Sequence, residues 1–517
     1  MTGHFLKFPG NVGFSLVIFA KERAVRVAYP RPTTLDAIPI PEVPLNLNCR
    51  DEIVPILASL QHLYADDAAR DEILTFIAKD VNATSDPFQG RPGFGYWEIL
   101  VLGAVRLGCN FDYDKLQNLA EEHRSLRRIM GIGTWDDHDP LRWDWRRIRD
   151  NLCLVHPETL AKINELVVRV GHRLEPTAAE KVRGDTFVVK TDIHYPTDAN
   201  LLADGLRKIL HVGAQLALLL GQVGWRQEAH LCNRVKRLVW AINKACKSKK
   251  GDMAGRRRRA YRPLMKLTHK VLARARQLRQ GEASWLGGFN EAGRMTAIGL
   301  DQQLGHYVAL TAKVLEQTRR RVVLGQSVPN AEKIFSIFEP HTELINRGKT
   351  PQPVEFGHRV LVIEDQMGFI VHYQVLDNGV QDKDVAVSSL RAAQRKVGDK
   401  IASASFDRAF HTPQNQRDLA EVVAHPCVPV RGAKQEVRQQ AEATIEFREG
   451  RKRHPGVESA IHGLEAGNGL DRCRDRTKRG YERYVGLGIL GRNLHVLGKV
   501  VLRRRAEDCL AGQSKRA

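Results

Sequence analysis

The stretch GDTFVVKTDIHYPTDANLLADG, residues 184–205, constrains this chain more than any other. Its β-branched run, Thr186-Phe187-Val188-Val189, predicts a strand. Asp185 stands at the start of that strand, and Asp192 and Asp198 lie beyond it. Strand backbone flexes less than a loop, so a carboxylate placed there makes a rigid metal ligand. Far downstream a second apolar run, IASASF, ends on Asp407, and a third acid, Glu458, sits in a helical stretch, HPGVESAIHGLE. Two strand aspartates and one helix glutamate, in that order, point to a two-metal site for cleaving phosphodiesters.

The charge balance fits such a substrate. The chain has 517 residues, a formal net charge of +21 and a pI near 9.7. A protein this basic ordinarily meets a polyanion, with nucleic acid the first candidate. The length predicts two or three domains. Eight cysteines are scattered without C-x-x-C spacing, which indicates neither a zinc ribbon nor a disulfide framework and fits a reducing cytoplasm. The apolar run from Val12 to Ala20 is too short to span a bilayer and makes a poor signal peptide, so no membrane is expected.

Prolines 30, 32, 39, 41 and 44 predict an irregular leader over residues 1–45. From residue 46 the pattern turns helical. Ile53, Ile56, Leu57, Leu60 and Tyr64 recur at three- and four-residue intervals, and Ile73, Leu74, Ile77 and Val81 repeat the pattern. After GRPGFG at 90–95 come helices over Trp97 to Leu107, around Leu116 to Leu126, and from Trp145 to Val170, an all-α domain over 46–175. Trp135, Trp143 and Trp145 are assigned to its core or a hinge, ahead of a base-stacking role.

The strand at 185–195 belongs to a segment 180–204, and a helical basic insertion follows over 205–330. From Lys244 to Arg279 there are fourteen basic residues and one acid, Asp252. The loop KSKKGDMAGRRRR is expected to stay extended until an anion meets it, and its cations to contact phosphate. Strands resume at 331–500. Val360–Ile363 and Phe369–Val371 flank EDQMG as a β-hairpin, with further strands at Ile401–Phe406 and Glu421–Val430. Helices follow at Gly456–Leu464 and Tyr481–Leu502, then a basic tail at 501–517.

Each candidate acid has rivals. Asp198, in PTDANLL, reads better as a helix N-cap. Asp377, Asp382 and Asp384 crowd a hairpin exit and are expected to face solvent. Glu465 lies on the same helical face as Glu458, and Glu446 and Glu449 precede it. His194, beside Tyr195, is read as a hydrogen-bonded structural residue ahead of a DNA or metal contact.

Three blocks carry a family resemblance. They are GRPGFGYWEILVLGAVRLGCNFDYDKLQNLAEEH, the 184–205 stretch, and VESAIHGLEAGNGLDRCRDRTKRGYERYVGLGILGRNLHVLGK. SIFEPHTELINRGKTPQPVEFGHRV and ASASFDRAF lie between them in order. Together they resemble bacterial insertion-sequence transposases of the DDE type, most closely the ISNCY family, over roughly residues 46–500. The resemblance implies an α/β catalytic domain with an RNase H-like mixed sheet flanked by helices, an all-α N-terminal domain and a helical basic insertion. It makes Asp185, Asp407 and Glu458 the catalytic and metal-holding acids, with Mg2+ as cofactor and Mn2+ able to substitute. Asp185 would bridge the ions, with Asp407 and Glu458 terminal. Water would free a 3′-OH at the element end, and that 3′-OH would attack target DNA.

The partners implied are double-stranded DNA, both inverted repeats and target, and a second copy of the chain in a homodimer on DNA, acting in the bacterial cytoplasm at the nucleoid. DNA phosphates are expected on Arg256, Arg257, Arg258 and Arg259, on Arg451, Lys452 and Arg453, and on Arg472, Arg474, Lys478, Arg479 and Arg483. The chain departs from the family pattern in two places. Glu465 and Ala466 stand where relatives often carry two basic residues, and the Tyr-Arg-Glu-Lys signature is absent, with Arg451-Lys452-Arg453 preceding the glutamate instead. Two other readings are a catalytically decayed repressor at element ends and an RNase H-like nuclease without strand transfer.

Overall fold

The computed structural model describes residues 38–83, 93–132, 144–247, 251–280, 289–346, 353–430 and 442–514. Trp135 and Trp143 lie outside them. The protein is mostly helical, with one mixed seven-stranded sheet flanked by helices.

Seven helices come first: α1 (Ile53–Ala65), α2 (Asp67–Val81), α3 (Tyr96–Gly108), α4 (Tyr113–Glu122), α5 (Arg124–Ile129), α6 (Trp145–Leu152) and α7 (Pro157–Leu174). The single helix expected over 145–170 is broken before Pro157, which opens α7 at a position where its missing N–H costs nothing. The end of the expected leader is not loose. Ile40 and Val43 are buried, and Gln61 Nε2 donates to both of their carbonyls, at 3.1 and 2.7 Å.

The sheet is built from β1 (Lys181–Thr191), β2 (Glu343–Asn346), β3 (Val354–Glu364), β4 (Ile370–Val375), β5 (Ser403–Phe406), β6 (His425–Cys427) and β7 (Arg472–Cys473). The order is β2-β3-β1-β5-β6, with β4 also pairing β3 and β7 also pairing β1. β3 runs antiparallel to β1, β2 and β4, whereas β5 runs parallel to β1 and β6. The hairpin around EDQMG is present. The fourth expected strand shrinks to three residues, and β2 and β7 were not foreseen.

Between β1 and β2 lie α8 (Asp198–Leu219), α9 (Glu228–Lys247), α10 (Met253–Arg279) and α11 (Glu291–Thr318). Their apolar faces form a core of their own, from Ala199 to Ile337. Thr197, not Asp198, caps α8, accepting from the Asn200 amide at 3.2 Å. Asp198 is buried and accepts from Gln317 at 2.9 Å and Arg321 at 3.0 Å, which fastens the start of α8 to the end of α11.

After the sheet hairpin come α12 (Asp382–Lys396), α13 (Pro413–Ala420), α14 (Ile445–Arg453), α15 (Gly456–His462) and α16 (Lys478–Ser514). α16 packs on α1, α3 and α7, so the N-terminal helices and the sheet share one continuous core. Glycines permit that approach: a β-carbon on Gly498 would lie 1.8 Å from the Pro55 carbonyl oxygen. α16 is long and apolar enough to cross a membrane, but 78% of its most apolar window is buried inside the protein.

Candidate active site

Asp185 sits midway along β1, and Asp407 directly follows the last residue of β5. Gly184 and Phe406 are register partners on these parallel strands. Asp185 is the next residue on β1 and Asp407 the first residue beyond β5, so the two acids follow a register pair whose strands run about 4.8 Å apart. Glu458 lies in the first turn of α15, which packs on β1. The three sequence-distant acids lie near enough for the charges of Asp407 and Glu458 to act on Asp185, but they are not drawn into one cluster.

Burial pushes the Asp185 carboxyl up to about 6. The Thr186 amide, 2.7 Å from its Oδ1, opposes the rise, while the carboxylates of Asp407, Asp382 and Glu458 add to it. Such crowding of like charge in a half-buried place is what a bound cation relieves. Asp407 and Glu458 are exposed, and their carboxylates have no hydrogen-bond partner among the described residues. The oxygen-only donor set matches the chemistry of Mg2+. Among the described residues, no three His, Cys, Asp or Glu side chains are grouped closely enough to hold an ion.

Neighbouring side chains fix the strand ends. Arg451 Nη1 donates to the Phe406 carbonyl at 3.1 Å, one residue before Asp407. Arg183 bonds Glu364 at 2.7 Å and the Arg453 carbonyl at 3.1 Å, which ties the α14–α15 junction to β1. His454 is buried beside Ser405, with Nδ1 at 3.3 Å from Oγ. Burial first, then Arg451, pulls its imidazole down to about 4 against the pull of Asp407.

Sequence reasoning missed Asp382. It heads α12 rather than facing solvent, and accepts from Thr186 Oγ1 at 3.1 Å and Arg359 at 3.2 Å. The signal was local: Gln381 and Asp384 form a capping box ahead of Val385 and Leu390, which marks a helix start. Asp377, by contrast, is exposed and pairs with Lys478 at 3.0 Å. Asp192 is likewise exposed, paired with Arg472 at 3.3 Å. His194 stands 3.2 Å from buried Asp204.

The expected DNA-contacting residues divide into three groups. Arg451, Lys452 and Arg453 close α14 beside the acids. Arg472, Arg474, Lys478 and Arg479 are exposed from β7 to the start of α16, with Arg474 bonded to Tyr484 at 3.0 Å. Arg483 does not belong with them: it is buried, bonded to the Cys153 carbonyl at 3.2 Å and beside Asp475 at 3.5 Å. Arg256–Arg259 lie in the first turns of α10, capped by Asp252, and not in an extended loop. Their helix overrides charge repulsion because Leu264, Leu267 and Val271 bury its other face.

Compared with known protein families, with curated proteins and with solved structures, the chain matches none.

Proposed function

We propose that this protein is a DDE-type DNA transposase that cleaves DNA at insertion-sequence ends and joins it to a target. One observation carries the reading: Asp185 and Asp407 follow register-paired residues on neighbouring parallel strands, with Glu458 on a helix against the same strand. The sheet supports an RNase H-like core, since a central strand is antiparallel to one neighbour and parallel to the next.

Asp185, Asp407 and Glu458 would hold Mg2+, with Mn2+ as a substitute. The metal would supply charge neutralisation at the attacking and leaving oxygens. The chain's own part is positional. β1 and β5 fix the two aspartates, Arg451 anchors the strand end before Asp407, and the basic end of α14 meets DNA phosphates. Pairing two element ends calls for a dimer on DNA.

The test is a linear DNA carrying element ends, incubated with Mg2+ and the wild-type protein or Asp185→Ala. Wild type is expected to give both cleaved and joined products, and the variant neither. Cleavage without joined product would mark a nuclease instead. A catalytically decayed, end-binding repressor is the second reading, favoured by the ungrouped acids; binding with no cleavage by wild type would establish it.

A further inference from the structure

Helix α9 buries only Val235 and Ile242, yet it displays an indole: Trp240 is 65% exposed. Exposing so large an apolar ring costs hydrophobic free energy, which is regained when a flat partner covers it. Beside the ring, between α8 and α9, lies a cavity of about 300 Å3. Trp240 and Val239 make its apolar wall, Asn200 and Asn243 bring amides, and Arg207 and Lys236 bring positive charge.

Arg207 is held rather than loose. Its guanidinium bonds Asp204, a carboxylate with only 2% of its side chain exposed, and His194 braces the same acid at 3.2 Å. The surroundings repel anything but an anion or a neutral ring. From Glu228 to Arg279 the only acids are Glu228 and Asp252. Lys244 Nζ lies 5.2 Å from the Trp240 ring centroid.

Phosphate contact alone requires cations and no indole. A paired base has both faces covered by its neighbours and offers the indole nothing to stack on, whereas an unpaired base presents a free π-face. We infer that the α8–α9 slot binds one unpaired DNA nucleotide. The base stacks on Trp240, the amides of Asn200 and Asn243 meet base edges, and Arg207 and Lys236 meet the flanking phosphates. The choice of DNA rests on the transposase reading.

The test uses full-length protein and two labelled duplexes of equal length, one fully paired and one with a short single-stranded gap containing 2-aminopurine. Fluorescence anisotropy reads affinity, and 2-aminopurine emission reads stacking. Wild type is expected to prefer the gapped duplex and to quench the probe. Trp240→Ala should weaken gapped binding roughly 5- to 100-fold, abolish quenching and leave paired binding unchanged. Trp240→Phe, which keeps a stacking face, should retain most of the preference. Equal binding by Trp240→Ala and wild type overturns the slot while DNA binding stands. So does a Trp240→Phe variant as weak as the alanine one. Failure of wild type to bind either duplex overturns the transposase reading itself.

Discussion

Gly184 lies flat against Phe406: a β-carbon on the glycine would stand 2.4 Å from Phe406 Cε1. This approach is what seats the aspartate of each strand beside the other. Gly184→Ala is therefore expected to destabilise the fold by about 1–3 kcal/mol through overpacking, measured by urea denaturation. Adding Phe406→Leu should recover part of the loss. An alanine variant as stable as wild type would contradict the packing.

The acids themselves are expected to matter to reaction rather than to DNA affinity. Asp185→Asn, Asp407→Asn and Glu458→Gln should each lower strand cleavage by roughly 1,000-fold or more, with anisotropy showing duplex binding intact. Normal cleavage by Glu458→Gln would remove that residue from the site and turn attention to Glu465.

Asp185 should also leave a mark on stability. Its carboxyl is raised from 3.8 to about 6 in the fold, so the folded state holds the proton more tightly than the unfolded chain. Wild type therefore loses stability as pH rises between those values and gains none above them. With metal chelated, Asp185→Asn is expected to be more stable than wild type by on the order of 2 kcal/mol at pH 8, and equal to it at pH 3. Calorimetry across that range checks the sign.

A buried ion pair joins the helical layer to the loop before α16. Arg106 Nη2 lies 2.6 Å from Asp475 Oδ1, and the two side chains are 1% and 5% exposed. Removing the cation leaves a buried charge whose remaining ion-pair partner among the described residues is Arg483, at 3.5 Å. Arg106→Met is expected to cost about 3 kcal/mol. The double variant Arg106→Met/Asp475→Asn should cost less than the single one. Chemical denaturation of the four proteins of that cycle decides it.

The first turns of α10 should act through phosphate. Changing Arg256, Arg257, Arg258 and Arg259 together to glutamine is expected to flatten the plot of log affinity against log salt by up to about 3–4, near 0.9 for each lost contact. An unchanged slope would place DNA elsewhere on the protein.

The strands that carry Asp185 and Asp407 were legible because each aspartate borders an apolar run, a pattern that survives without any partner, whereas Glu458 was singled out from Glu465, Glu446 and Glu449 only by the family resemblance of its block. The β3–β4 hairpin was legible for the same reason, its β-branched strands flanking a Gly-containing turn. β2 and β7 were not, because Glu343–Asn346 and Arg472–Cys473 carry no alternation and become strands only through pairing with β3 and β1. Asp198 was misread as a cap since its role depends on Arg321, more than a hundred residues away. Arg483 looked like one more cation in a basic run, and only the packing of α16 turns it inward.

That last helix has a bearing on biosynthesis. α1, α3 and α7 leave the ribosome some three hundred residues ahead of α16, the element that covers them. Until it arrives, their leucine-rich flanks stay open to chaperones, proteases and one another. Synthesis of this protein thus carries a built-in delay: its opening helices are completed only by its closing one, so ribosome-stalled chains ending before residue 478 should be protease-sensitive throughout residues 53–174, and resistance there would contradict this order of assembly.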